Sequence, residues 1–129
     1  MTPLLIDTNI YSYALRGEEE VVTLLQRAPR IGISTISVGE LLAGFKAGSQ
    51  EQKNRDELAV FLDSPRVSVF PIDTDTAEFY SEIWSRLRSQ GTPIPTNDLW
   101  IAATAFQHGM KLFTKDEHFK NVPGLFLAS

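Results

Sequence analysis

Leu4-Leu5-Ile6-Asp7-Thr8-Asn9 is where the chain declares its fold. Three bulky aliphatic residues in succession, entered from Pro3, have the composition of a short strand buried on both faces, as in the interior of a parallel sheet. The apolar run stops at Asp7, and Ile10, Tyr11, Ala14 and Leu15 follow at the spacing of an amphipathic helix. A strand that runs straight into a helix opens a βα unit, and open α/β sheets place their ligands beyond the carboxyl ends of such strands. Asp7 therefore has two readings. Either it or Asn9 caps the helix through a side-chain oxygen, or it is the first residue of a site.

The alternation continues along the chain. Glu18–Glu20 suit the positive end of a second helix, whose apolar residues are Val21, Val22, Leu24, Leu25 and Ala28, and Pro29 ends it. Ile31–Ser34 reads as a second strand. Ser34, Thr35 and Ser37 are cap candidates for a helix from Ile36 to about Phe45, and another helix spans Gln50–Leu62 before Pro65. Val67–Phe70 is a third strand. Asp75 with Glu78 three residues later predicts a capping box for a long helix to Gln90, closed by Gly91. After the Thr92–Pro95 loop, Thr96–Phe106 is apolar nearly all round, as in a helix buried on most sides. Lys111–Thr114 is a fourth strand, and Leu125–Leu127 a short last one. The expected fold is a three-layer α/β/α domain, with a central parallel sheet of four to five strands, over residues 1–129.

Composition narrows the chemistry. With 129 residues, 43% apolar and 22% charged, this is ordinary globular material for one domain. The absence of cysteine excludes disulfides, thiolate zinc sites and cysteine nucleophiles, and fits a cytoplasmic protein. No signal peptide and no membrane span are expected. The net charge of −4 argues on its face against a nucleic-acid partner.

That charge has a particular source. Asp7 ends the first strand, and Asp116 follows the fourth in the same way. Glu40 borders the apolar stripe of Val38, Leu41, Leu42 and Phe45, beside the small residues Ser37 and Gly44. Asp98 stands in the first turn of the most apolar helix. Each has an ordinary explanation as cap, solvated face, dipole partner or turn former. Together they strain those explanations, because parallel strands all end at one edge of the sheet. Carboxylates brought together there repel one another and raise each other's pKa, a cost that divalent cations remove. Oxygen ligands without His or Cys suit Mg²⁺ or Mn²⁺ rather than zinc. Two such ions roughly 3.5–4 Å apart are the usual device for cleaving a phosphodiester in line. Thr8, Asn9, Asn97 and Thr114 are placed to orient the carboxylates or a water. Four carboxylates account for the whole of the −4, and Lys46, Lys111, Lys115 and Lys120 are candidate phosphate contacts.

At these residues the sequence resembles the PIN-domain family, and within it the VapC toxins of bacterial toxin–antitoxin pairs. The matching stretches are Leu5-Ile6-Asp7-Thr8-Asn9, Ser37-Val38-Gly39-Glu40-Leu41-Leu42-Ala43-Gly44, Asn97-Asp98-Leu99-Trp100-Ile101-Ala102-Ala103 and Thr114-Lys115-Asp116-Glu117-His118-Phe119. They lie in family order from one end of the chain to the other. The resemblance implies a metal-dependent endoribonuclease with Asp7, Glu40, Asp98 and Asp116 as its acidic, metal-binding site. It also implies a homodimer, and a small VapB-like antitoxin whose tail occupies the cleft while its other end binds operator DNA. Family sites vary after the last aspartate, and here His118 is expected to pack or cap locally. Three other readings compete. A non-toxic PIN nuclease of RNA maturation or DNA processing shares the fold, as would an idle binding protein. A phosphoacceptor signalling module would need a second acid beside Asp7, where Ile6 and Thr8 stand.

Overall fold

The computed structural model describes residues 3–128. Its strands are β1 (Leu4–Ile6), β2 (Ile31–Ser34), β3 (Val67–Phe70), β4 (Lys111–Phe113) and β5 (Leu127–Ala128). Every pairing is parallel and the spatial order is β3-β2-β1-β4-β5, so the first strand lies at the centre. The connections carry α1 (Thr8–Leu15), α2 (Glu19–Arg27), α3 (Thr35–Ala47), α4 (Glu51–Leu62), α5 (Thr74–Gln90) and α6 (Thr96–His108), with a 3₁₀ turn over Glu117–Asn121 before β5. The expected α/β/α architecture with a parallel sheet is the observed one.

Strand periodicity sorts the core into two halves. Leu4 and Ile6 of β1, Ile31 and Ile33 of β2 and Phe113 of β4 face one side, against Ile10, Tyr11, Val21, Leu25, Leu41 and Leu58 of α1–α4. Leu5 and Leu112 face the other, against Ile83 and Leu87 of α5 and Leu99, Ile101 and Ala102 of α6. Fully burying such a side chain stabilises by about 1.5–3 kcal/mol, so the central strands need no length to be held firmly. Gly32 in β2 answers a packing demand. A Cβ there would lie 2.4 Å from the Phe70 ring and 2.9 Å from Met110.

Three details depart from expectation. The cap of α5 is Asp73 with Thr76, not Asp75 with Glu78: Asp73 accepts from the Thr76 N–H at 3.0 Å, and the Thr76 hydroxyl accepts from the Asp73 N–H at 3.1 Å. Gln107 of α6 selects this pair by donating to Asp73 at 3.0 Å and accepting from the Thr76 hydroxyl at 2.5 Å. The last strand is Leu127–Ala128 rather than Leu125–Leu127, because β4 pairs with those two residues. In α6, Leu99 and Ile101–Ala105 are buried as anticipated, whereas Trp100 is half-buried and stacks on Tyr80 of α5 at 4.1 Å between ring centroids. Among the described residues no helix is long and apolar enough to cross a membrane.

The order of strands creates the crevice. From β1 the chain steps outward to β2 and β3, then returns through α5 and α6 to β4 on the other side of β1. Where the winding reverses, the connections leaving neighbouring strands diverge and leave a gap beyond their carboxyl ends. Asp7 and Thr114 are the residues immediately past β1 and β4.

Candidate metal centre

Asp7 is both the cap and a member of the cluster. Its Oδ1 accepts the Ile10 N–H at 3.0 Å, closing the first turn of α1, and its Oδ2 accepts the Thr114 hydroxyl. It is only 5% exposed. Burial pushes its carboxyl above the usual aspartate range; the Thr114 hydroxyl and the α1 backbone N–H groups oppose that, and the charge of Asp116 adds to it. Thr114 couples the two strand ends, since its oxygen also accepts the Asp116 N–H at 2.9 Å.

Glu40 reaches the same place from α3. Thr8 at the start of α1 donates to its Oε1 at 2.5 Å, and Asn97 at the start of α6 donates to its Oε2 at 3.2 Å. The carboxylate thus ties together the ends of two helices 32 and 57 residues away in sequence. Asp98, in the first turn of α6, is pushed up to about 6 by burial first, then by the charges of Asp116 and Glu40, with Asp7 adding a smaller push. Only His118 pulls it down. Asp98 therefore lies within the fields of three carboxylates from three other segments, and Asp7 within that of Asp116.

Asp116 caps the 3₁₀ turn by accepting the His118 N–H at 2.9 Å. The His118 ring does more than pack locally. Its Nδ1 stands 3.0 Å from Asp116 Oδ1 and 3.8 Å from Asp98 Oδ2. Asn9, expected to orient the site with its side chain, is exposed and lends only its backbone N–H to Asp7. Three of the four candidate lysines are engaged in exposed ion pairs. Lys46, Lys115 and Lys120 are paired with Glu51, Glu18 and Glu117 at 3.1, 3.1 and 2.7 Å, and Lys111 sits at the amino end of β4, away from the crevice.

This donor set fits a divalent cation. Hard carboxylate oxygens converge without a lysine or arginine among them, and burial together with mutual repulsion raises the Asp98 and Asp7 carboxyls, a cost that a bound cation removes. Asp98, Asp116 and His118 each offer an atom within 4.8 Å of the others, close to the span of a single coordination sphere.

A PIN-domain model matches residues 4–125. The chain belongs to the PIN-domain family. Within it, the chain falls among the VapC ribonucleases: it is 30% identical to ribonuclease VapC2 of Rickettsia felis, over 97% of this chain and 96% of that one. It is 32% identical to ribonuclease VapC4 of Mycobacterium tuberculosis over 71% of each. Its fold is similar to the crystal structure of VapBC2 from Rickettsia felis bound to a promoter DNA fragment, with a TM-score of 0.87 and 27% identity over 98% of this chain and 97% of that one. In this PIN domain the residue that sequence reasoning undervalued is His118. The available signal was its place two residues after Asp116 and one before Phe119, which is buried and pins the turn.

Proposed function

We propose that this PIN domain is an endoribonuclease toxin that hydrolyses RNA phosphodiester bonds with Mg²⁺ or Mn²⁺ held by Asp7, Glu40, Asp98 and Asp116. The observation that carries it is the approach of Asp116, Glu40 and Asp7 to Asp98 beyond β1 and β4, close enough that their charges add to burial in raising the Asp98 carboxyl to about 6. The relatives named ribonuclease VapC2 and VapC4 support RNA as the substrate class. Bound there, a divalent ion supplies an activated water and stabilises charge on the phosphate.

The chain's own residues do the positioning. Thr8 and Asn97 fix the two oxygens of Glu40, and Thr114 fixes Oδ2 of Asp7. These bonds hold the carboxylates in place at the moment of reaction, so that little reorganisation remains to be done. The open side of the crevice, beside Asp98, Asp116 and His118, is where an RNA strand would lie.

The toxin acts in the cytoplasm as a homodimer, restrained by a small VapB-like antitoxin whose tail occupies the crevice and through which operator DNA is bound. The VapBC2 structure with promoter DNA supports the protein partner and the DNA. The test is incubation of purified protein with total RNA in Mn²⁺ or Mg²⁺, beside EDTA and the Asp7→Asn variant. Cleavage confined to the metal-loaded wild type is expected; equal cleavage in EDTA or by Asp7→Asn refutes the assignment.

A further inference from the structure

We propose that the imidazole of His118 is a ligand of this centre, binding the cation through Nδ1 together with Asp98 and Asp116, and that it turns the site's preference from Mg²⁺ toward Mn²⁺. The proposal rests on the metal-centre reading above and adds a nitrogen to what is otherwise an all-oxygen site.

Geometry carries it. Two atoms bound to one ion at about 2.1 Å lie about 3.0 Å apart when adjacent and about 4.2 Å apart when opposite. The Nδ1 separations of 3.0 Å from Asp116 and 3.8 Å from Asp98 fall within those limits. The ring is also held there. Asp116 accepts the His118 N–H at 2.9 Å, and the next residue, Phe119, is 1% exposed in the core. The turn therefore presents the ring to the acids while leaving its side chain 54% exposed, open to an arriving ion. With Nδ1 on the cation the ring proton sits on Nε2, and the 54% exposed side chain lets water serve as its partner.

Ligand chemistry sets the consequence. Both ions suit carboxylates, but Mg²⁺ demands near-ideal octahedral geometry and sheds its waters reluctantly, whereas Mn²⁺, a first-row transition ion, is the softer of the two and takes an imidazole nitrogen into its shell more readily. A Mg²⁺ ion would leave His118 outside its shell; a Mn²⁺ ion would take it in.

The chain has two histidines, which makes the test clean. His108 stacks on Phe70 at 4.1 Å near the far end of α6, about 15 Å of helix from Asp98. Electron spin-echo modulation of bound Mn²⁺ therefore reports nitrogen from His118 alone. The wild type is expected to show directly coordinated ¹⁴N, which disappears in His118→Ala. Titration should show that His118→Ala weakens Mn²⁺ binding by about tenfold or more while Mg²⁺ binding moves by less than about threefold, the loss of one ligand for one metal only. Saturably bound Mn²⁺ without nitrogen coupling, or equal losses for both metals, overturns the role of His118 and leaves the four carboxylates standing. Failure of millimolar Mn²⁺ to bind the wild type at all overturns the centre itself.

Discussion

The corners that follow β1 and β4 begin alike and end differently. Each places an aspartate beyond a central parallel strand, and each aspartate caps the segment after it: Asp7 accepts from Ile10, Asp116 from His118. Behind Asp7 stands an eight-residue helix with Ile10 and Tyr11 in the core, and the carboxylate is 5% exposed. Behind Asp116 stands a five-residue 3₁₀ turn anchored by Phe119, and the Asp116 side chain is 31% exposed. The same cap thus serves two ends. The β1 corner is buried and fixes where the acids meet; the β4 corner is the more exposed, and on the proposed reading it is the side from which an ion or RNA would approach. Thr114 joins them, donating to Asp7 and accepting from Asp116.

Removing the anchor of the open corner should have the largest effect. Phe119→Ala is expected to cost about 3–5 kcal/mol in denaturant unfolding, as for a fully buried aromatic. A loss under about 0.5 kcal/mol would mean that the turn is not held from the core.

At the closed corner, charge and cap can be separated. Asp7→Asn keeps an oxygen for the Ile10 N–H, so its melting temperature in EDTA should match or exceed that of the wild type, while RNA cleavage falls by about 10²-fold or more. Asp7→Ala should lose the cap as well, at about 1 kcal/mol. If Asp7→Asn melts well below the wild type, the buried charge is not the burden that its raised pKa implies.

The supports of Glu40 should matter less. Thr8→Val or Asn97→Ala is expected to weaken Mn²⁺ binding by about 10–100-fold with little change in fold stability. Unaltered metal affinity in both would detach Glu40 from the centre.

The smallest effect is in pH. The Asp98 carboxyl stands at about 6 in the folded chain against an ordinary 3.8, so between those values the folded state holds the proton more tightly than the unfolded state. Stability from this group is full below about pH 4 and is lost as pH rises through 6. In EDTA, the wild type should therefore lose stability relative to Asp98→Asn between pH 4 and 6, and saturating Mn²⁺ should abolish the difference. A gap that widens toward acid would reverse the assignment.

Much of this was legible in the chain itself, for identifiable reasons. Leu4–Ile6 and Leu99–Ala105 are runs so apolar that only burial satisfies them, and strand-to-helix alternation left few topologies. Asp7, Glu40, Asp98 and Asp116 stood out because each interrupts such a pattern. What was not legible depended on contacts across the fold. Asp73-Thr74-Asp75-Thr76 offers two registers for a cap, and Gln107 on another helix decides between them. His118 looked local because the burial of Phe119, which aims the ring, is a tertiary event. The lysines near the acids in sequence proved to be paired with glutamates or, for Lys111, at the wrong end of a strand.

The central position of β1 also governs when the crevice can exist. Leu4–Ile6 pairs on one side with Ile31–Ile33 and on the other with Lys111–Phe113. On the ribosome, where residues emerge in order, the first half of the sheet can assemble while its central strand still waits for a neighbour more than a hundred residues downstream. Asp116 and His118 arrive only after that neighbour. A growing chain consequently carries Asp7 and Glu40 well before Asp116 and His118, and the proposed centre stays incomplete until β4 and the turn after it have emerged.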